Sequence, residues 1–207
     1  TALSRIGPVA VFGVLPHHHA PFPGVAMWRH GSDSSVVAGP GAAALLSGVL
    51  RGREDPYQSR VSPIVVEELQ QAVSDFRPDA ILISRLELGG YIPSLRATGV
   101  PLILDLDEVF APWSQSIQSV LPSAGHAAVM RHFTRAVAAY EAQVIEDVDH
   151  VWLSSAGESQ LMSDHHSTTT PTSIVPNCID VTHYAHGCPP RDPDMLIFSG
   201  TFGYPPN

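Results

Sequence analysis

The sequence predicts a parallel, doubly wound α/β domain, and two observations carry that expectation. Short apolar runs alternate along the chain with segments of helical periodicity, the pattern left by strands that return to one sheet through crossover helices. From Pro176 to Pro193 the composition changes to Pro, Asn, Asp, His and Gly, and a fresh apolar run follows at 195–199. Loop chemistry followed by a strand without a partner reads as a linker and the start of a second domain.

The elements follow in order. Residues 9–15 read as a strand, and a proline- and histidine-rich loop ends near Gly24. A weaker strand is expected at 35–38, ahead of a stretch of small residues. The clearest helix opens at Ser62 as N-cap with Pro63 at the first helical position, where a missing N–H costs nothing. Val65, Leu69, Ala72, Val73 and Phe76 form its apolar stripe, and Arg77, Pro78 and Asp79 end it. Residues 80–84 and 101–106 read as buried strands, with a short helix between them that ends near Gly99. Met130, Phe133, Val137, Tyr140 and Val144 recur at helical spacing, so 127–145 is a long amphipathic helix. Strand 150–153 follows, Ser155 and Glu158 have capping-box spacing for one more helix, and 172–175 reads as a last strand of the first domain.

The totals narrow the function. With 44% hydrophobic and 15% charged residues, the 207-residue chain can bury a full core. Twenty acidic against eleven basic residues give a formal charge of -9, which repels nucleic acid phosphates and anionic headgroups, and no basic patch offsets it. Every basic residue is arginine, so chemistry that needs a lysine is excluded from this chain. Two cysteines, Cys178 and Cys188, are too few for a disulfide framework. No apolar run approaches the roughly 20 residues that cross a bilayer. A cytoplasmic protein is expected, with peripheral membrane attachment left open.

The chemistry concentrates at 102–108, Leu-Ile-Leu-Asp-Leu-Asp-Glu. Side chains alternate along a strand, so Asp105 and Asp107 point the same way where the strand leaves the sheet. Carboxylates this close repel, and they persist best beside a cation, a donor-rich ligand or a raised pKa. A solvent-facing loop cap is the plain alternative. Asp-x-Asp after a strand also fits a phosphatase of the haloacid dehalogenase kind, although the lysine and the later acidic pair of such enzymes are missing. It fits equally a metal-dependent GT-A transferase, which leaves the linker and the final strand unexplained.

Other motifs are weaker. Gly39-Pro40-Gly41-Ala42-Ala43-Ala44 outlines a dinucleotide fingerprint, but Pro40 stiffens the turn that the glycines exist to permit. His17, His18 and His19 diverge as neighbours, so acceptor contact by His17 and His19 or plain exposure is expected rather than a metal site. A zinc site from Cys178, His183, His186 and Cys188 would sit in linker sequence. Arg85 and Tyr91 flank the exit of strand 80–84 and are both candidate substrate contacts; the arginine suits an anionic acceptor group or an ion pair with Glu87.

Three features act together. Val175-Pro176-Asn177-Cys178-Ile179-Asp180 has the form of a Pro-Asn-Gly-x-Asp turn, Leu196-Ile197-Phe198-Ser199-Gly200 that of an opening strand with its glycine, and Tyr204-Pro205-Pro206-Asn207 that of a Tyr/Trp-x-Pro-Asn ending. With the strand end at 101–109 and the Asp, apolar run, Ser pattern at 149–155, this order resembles the GT-B glycosyltransferase family 4 over about 80–207. Cys178 stands where the family usually has glycine, and Asp107 where many members have histidine. The resemblance implies a Rossmann-like acceptor-side domain at 1–176, a linker at 177–194 and the start of a nucleotide-sugar-binding domain at 195–207. It implies retaining transfer from a nucleotide diphosphate sugar to a carbohydrate, lipid-linked or small-molecule acceptor, without metal or cofactor. Asp107 would carry the chemistry, Asp105 and Glu108 would hold sugar or acceptor hydroxyls, and Gly200 and Thr201 would meet the donor diphosphate. Residues 1–207 alone would then be inactive, because the second domain supplies most donor contacts. An enzyme-derived binding module is the non-catalytic alternative.

Overall fold

The computed structural model describes residues 3–14, 24–33, 61–110, 124–179, 181 and 194. The chain divides into two compact units, Thr1–Pro176 and Asn177–Asn207. The first is a mixed α/β unit with parallel sheets and helices, compatible with a Rossmann-like fold. Strands β1 (Ala10–Gly13) and β2 (Met27–His30) pair in parallel. Strands β3 (Ile81–Ser84), β4 (Leu102–Leu106), β5 (His150–Leu153) and β6 (Thr172–Ile174) form a second parallel sheet in that order. Among the described residues the hydrogen-bonded order in this sheet is sequential.

The helices make the crossovers that parallel pairing requires. Helix α1 (Pro63–Phe76) precedes β3; Ser62 caps it as its spacing predicts, accepting from the Val65 amide, and Arg77 closes it in the left-handed conformation. A 3-10 segment (Leu86–Tyr91) and α2 (Ile92–Arg96) connect β3 to β4. Helices α3 (Ala124–Glu146) and α4 (Ala156–His165) make the next two connections. The 3-10 segment approaches α3 so closely at Gly89 that a Cβ there would lie 2.6 Å from Tyr140 Oη and from Val144 Cγ2. Among the described residues no helix is long and apolar enough to cross a membrane.

The core lies between the second sheet and these helices. Leu102, Leu104 and Leu106 alternate along β4 into full burial, joined by Ile83, Val151, Leu153, Val137, Val144, Ile145 and Met162. At the amino edge of the sheet Asp149 accepts from the Leu102 amide at 2.8 Å and from Arg96 Nη1 at 2.7 Å, which ties β4, β5 and α2 together. Arg96, and next the Leu102 amide, hold the Asp149 carboxyl below its usual range. This contribution is therefore present above the unfolded pKa and lost as pH falls through the folded one.

The sequence pattern misses β2. Its Met-Trp-Arg-His sequence has no apolar alternation, because polar bonds to α1 and its cap hold the segment. Arg29 pairs with Asp75 at 2.7 Å, the Ser32 amide donates to Glu68 at 2.8 Å, and Ser62 Oγ donates to Asp33. The expected strands at 35–38 and 195–199 and the Gly39–Ala44 motif lie outside the described residues.

Burial along the sheet sets a graded stability prediction. Leu104→Ala, at 0% exposure, should cost about 2–5 kcal/mol through lost transfer energy and a cavity. Leu82→Ala, at 37% exposure, should cost less than about 1 kcal/mol. Urea unfolding measures both, and equal losses would contradict this placement of the core.

Candidate functional site

Parallel pairing aligns the carboxyl ends of β3, β4 and β5 on one edge, where ligands of open α/β sheets bind. Asp105 lies in β4, in register with Ser84 of β3 and Trp152 of β5. The buried leucines of β4 face the core, and Ile103 and Asp105 lie half-buried on the opposite face. Asp107 and Glu108 follow directly, both exposed. As expected from alternation, Asp107 lies close enough to act on Asp105: burial, then the Asp107 charge, raises the Asp105 carboxyl, against a hydrogen bond from Ser84.

Glu108 belongs to the same cluster. Although the residue reaches solvent, partial burial of its carboxyl raises it first, the charges of Asp107, Glu158 and Glu87 add to that, and Arg85 opposes it. Arg85 Nη2 lies 4.0 Å from Asp107 Oδ2, with both side chains about half exposed, so this pair is screened and weak. Arg85 itself has φ 80° and ψ 147°, in a region nearly reserved for glycine that costs a side-chain-bearing residue about 1–3 kcal/mol. The surrounding structure enforces it: the Arg85 amide donates to Asp105 O at 2.9 Å, and its carbonyl accepts from the Leu88 amide at 3.2 Å.

Side chains after β5 hold the loop that carries these carboxylates. Ser154 Oγ donates to Asp107 O at 2.8 Å, and the Val109 amide donates to Glu158 Oε2 at 2.7 Å. The capping-box spacing is therefore half realised. Ser155 accepts from the Glu158 amide at 3.1 Å, while the Glu158 carboxylate reaches across to the neighbouring loop.

Asp105, Asp107, Glu108 and Arg85 thus come together at the sheet edge. Tyr91 does not join them. It is buried in the core with its hydroxyl accepting from the Ser62 amide at 3.3 Å, so its expected ligand contact is replaced by a packing role; burial is the first cause of its raised pKa. His17, His19, Gly200 and Thr201 lie outside the described residues, as do His183, His186 and Cys188, while Cys178 is exposed. Among the described residues no three His, Cys, Asp or Glu side chains form a group that could hold a metal ion. Sequence reasoning missed Glu158 and Ser154 as holders of the loop, and nothing in their spacing points to it.

Chemically, the edge gathers carboxyls, Asp105 and Glu108 among them raised above their usual range, beside the Arg85 guanidinium. Such groups can accept from, donate to or exchange protons with hydroxyls. No protein-family model and no curated protein matches the chain.

The cluster makes a titration prediction. Because the Asp107 charge is among the causes that raise both Asp105 and Glu108, Asp107→Asn should lower both carboxyl midpoints. Acids raised on folding bind more protons folded than unfolded, so stability falls as pH rises from the unfolded pKa through the folded one. The substitution should flatten that fall. Carboxyl 13C NMR measures the midpoints, and unchanged values would contradict the coupling.

Proposed function

We propose that this chain is the acceptor-side part of a GT-B glycosyltransferase similar to family 4, built on a Rossmann-like, doubly wound sheet. It moves a sugar from a nucleotide diphosphate donor to a hydroxyl-bearing acceptor. The observation that carries this reading is the carboxyl cluster of Asp105, Asp107 and Glu108 at the carboxyl edge of a parallel sheet. It occurs in the strand end at 101–109 that shares in the resemblance, with Asp107 standing where many members have histidine.

The roles follow from chemistry. Asp107, the most exposed of the coupled strand-end aspartates, contacts a donor or acceptor hydroxyl. Asp105 and Glu108, whose carboxyls are raised by burial and then by the Asp107 charge, hydrogen-bond adjacent hydroxyls. Arg85, fixed in its strained conformation at the end of β3, pairs with an anionic group of the acceptor. The resemblance assigns Gly200 and Thr201, which lie outside the described residues, to the donor diphosphate. The transfer is retaining and needs no metal, and the departing diphosphate is stabilised by groups of the nucleotide-sugar-binding domain.

Asp107→Asn in the full-length protein should lower turnover by about 10² to 10⁴, the range for a positioned acid/base or charge-assisted contact. Chelation should leave the unmutated enzyme active. Activity lost to EDTA and restored by magnesium or manganese would assign these carboxylates to a metal-dependent phosphatase or GT-A transferase instead.

A further inference from the structure

Among the described residues, one acidic side chain interrupts the buried, largely apolar face of α3. Val137, Tyr140, Val144 and Ile145 are buried on one face, and Glu141, between them at helical spacing, is 0% exposed. Glu141 Oε2 lies 2.8 Å from Nε2 of His166, itself buried at the end of α4. Glu141 Oε1 accepts from the Phe110 amide at 2.7 Å. Phe110 stands next to Val109, whose amide is held by Glu158, and its ring packs edge-on against Phe133 of α3 at 6.3 Å.

An ionic group at a core position is a poor way to add stability, because its desolvation offsets much of what its bonds return. Its bonds are directional, however, and an apolar side chain of similar volume could not accept from a backbone amide. The two carboxylates, one from α3 and one from α4, grip consecutive amides immediately after Asp107 and Glu108, while Ser154 grips the Asp107 carbonyl.

We propose that Glu141, held in place by His166, is a positioning residue that fixes the segment carrying Asp107 and Glu108 at the edge of the sheet. Its consequence for catalysis rests on the transferase reading above; its grip on the loop does not. Glu141 touches no reacting group, and it acts through the Phe110 amide.

The test compares Glu141→Leu and Glu141→Gln in the full-length protein by amide hydrogen exchange, unfolding and steady-state kinetics. Leu removes the acceptor and should accelerate exchange at Val109 and Phe110 about tenfold or more relative to the core strands. Gln keeps a carbonyl oxygen for the Phe110 amide and sets its NH₂ opposite His166 Nε2, which accepts in the tautomer that carries its proton on Nδ1, and should restore slow exchange at both positions. In the kinetics, Leu should lower kcat per folded molecule with little change in KM, and Gln should recover it. Exchange at the two amides within twofold of the unmutated protein, or acceleration spread evenly over β3, β4 and β5, would overturn the proposal. So would an unchanged kcat in a Leu variant whose loop has loosened. Should the Leu variant not fold, His166→Ala, which keeps Glu141 but removes its partner, is read by the same exchange criterion. An unmutated protein without transferase activity would sink the preceding reading and leave the exchange result to decide the grip on the loop.

Discussion

Parallel pairing of β4 between β3 and β5 is the constraint on which the rest of the structure depends. It sends every connection back across the sheet and brings all the strand exits to one edge. It also divides β4 by face: the leucines at alternate positions fill the core, and the chain of Ile103 and Asp105 continues outward to Asp107. The same alternation that builds the core therefore delivers the carboxylates together. A slip of one residue in register would exchange the two faces, burying the acids and exposing the leucines.

The two edges of the sheet use charge in opposite ways. At the amino edge Asp149 is satisfied by Arg96 and the Leu102 amide, so the opposite charges close the structure and the carboxyl is easily ionised. At the carboxyl edge, among the described residues, like charges collect near the Arg85 guanidinium, and burial resists ionisation of Asp105 and Glu108. Arg85 sits there in a backbone conformation that disfavours any residue but glycine. Repulsion and strain are concentrated where the chain is proposed to act, and the compensating bonds from Ser154, Glu158 and Glu141 are made to the backbone, leaving the Asp107 and Glu108 side chains outward.

Much of the second sheet was legible because local chemistry and long-range packing agree there. Ser62 and Pro63 mark the start of α1, and the apolar runs of β3, β4 and β5 are bounded by turn residues within a residue or two of the observed ends. β2 was not legible, since Arg29, Ser32 and Asp33 secure it through partners on α1 that no local pattern names. The site was legible in part. Alternation alone places Asp105 with Asp107, but whether a residue near a strand exit faces ligand or core depends on packing. Tyr91 turns inward to Ser62. Glu158 has a spacing that fits helix capping and a carboxylate that serves another loop, and Glu141 is visible only as a charge that interrupts an apolar stripe.

The proposed function requires the carboxyl edge of β3, β4 and β5 to bind a hydroxyl-bearing ligand through Asp107. Chemical-shift mapping of the full chain against a panel of oligosaccharides and UDP- and GDP-sugars tests it most directly. Saturable shifts centred on Arg85, Asp107, Glu108 and Ser154 that disappear in Asp107→Asn are expected. Saturable shifts confined to another surface, such as that around Arg29 and Asp75, or shifts at the edge that survive the substitution, would contradict it.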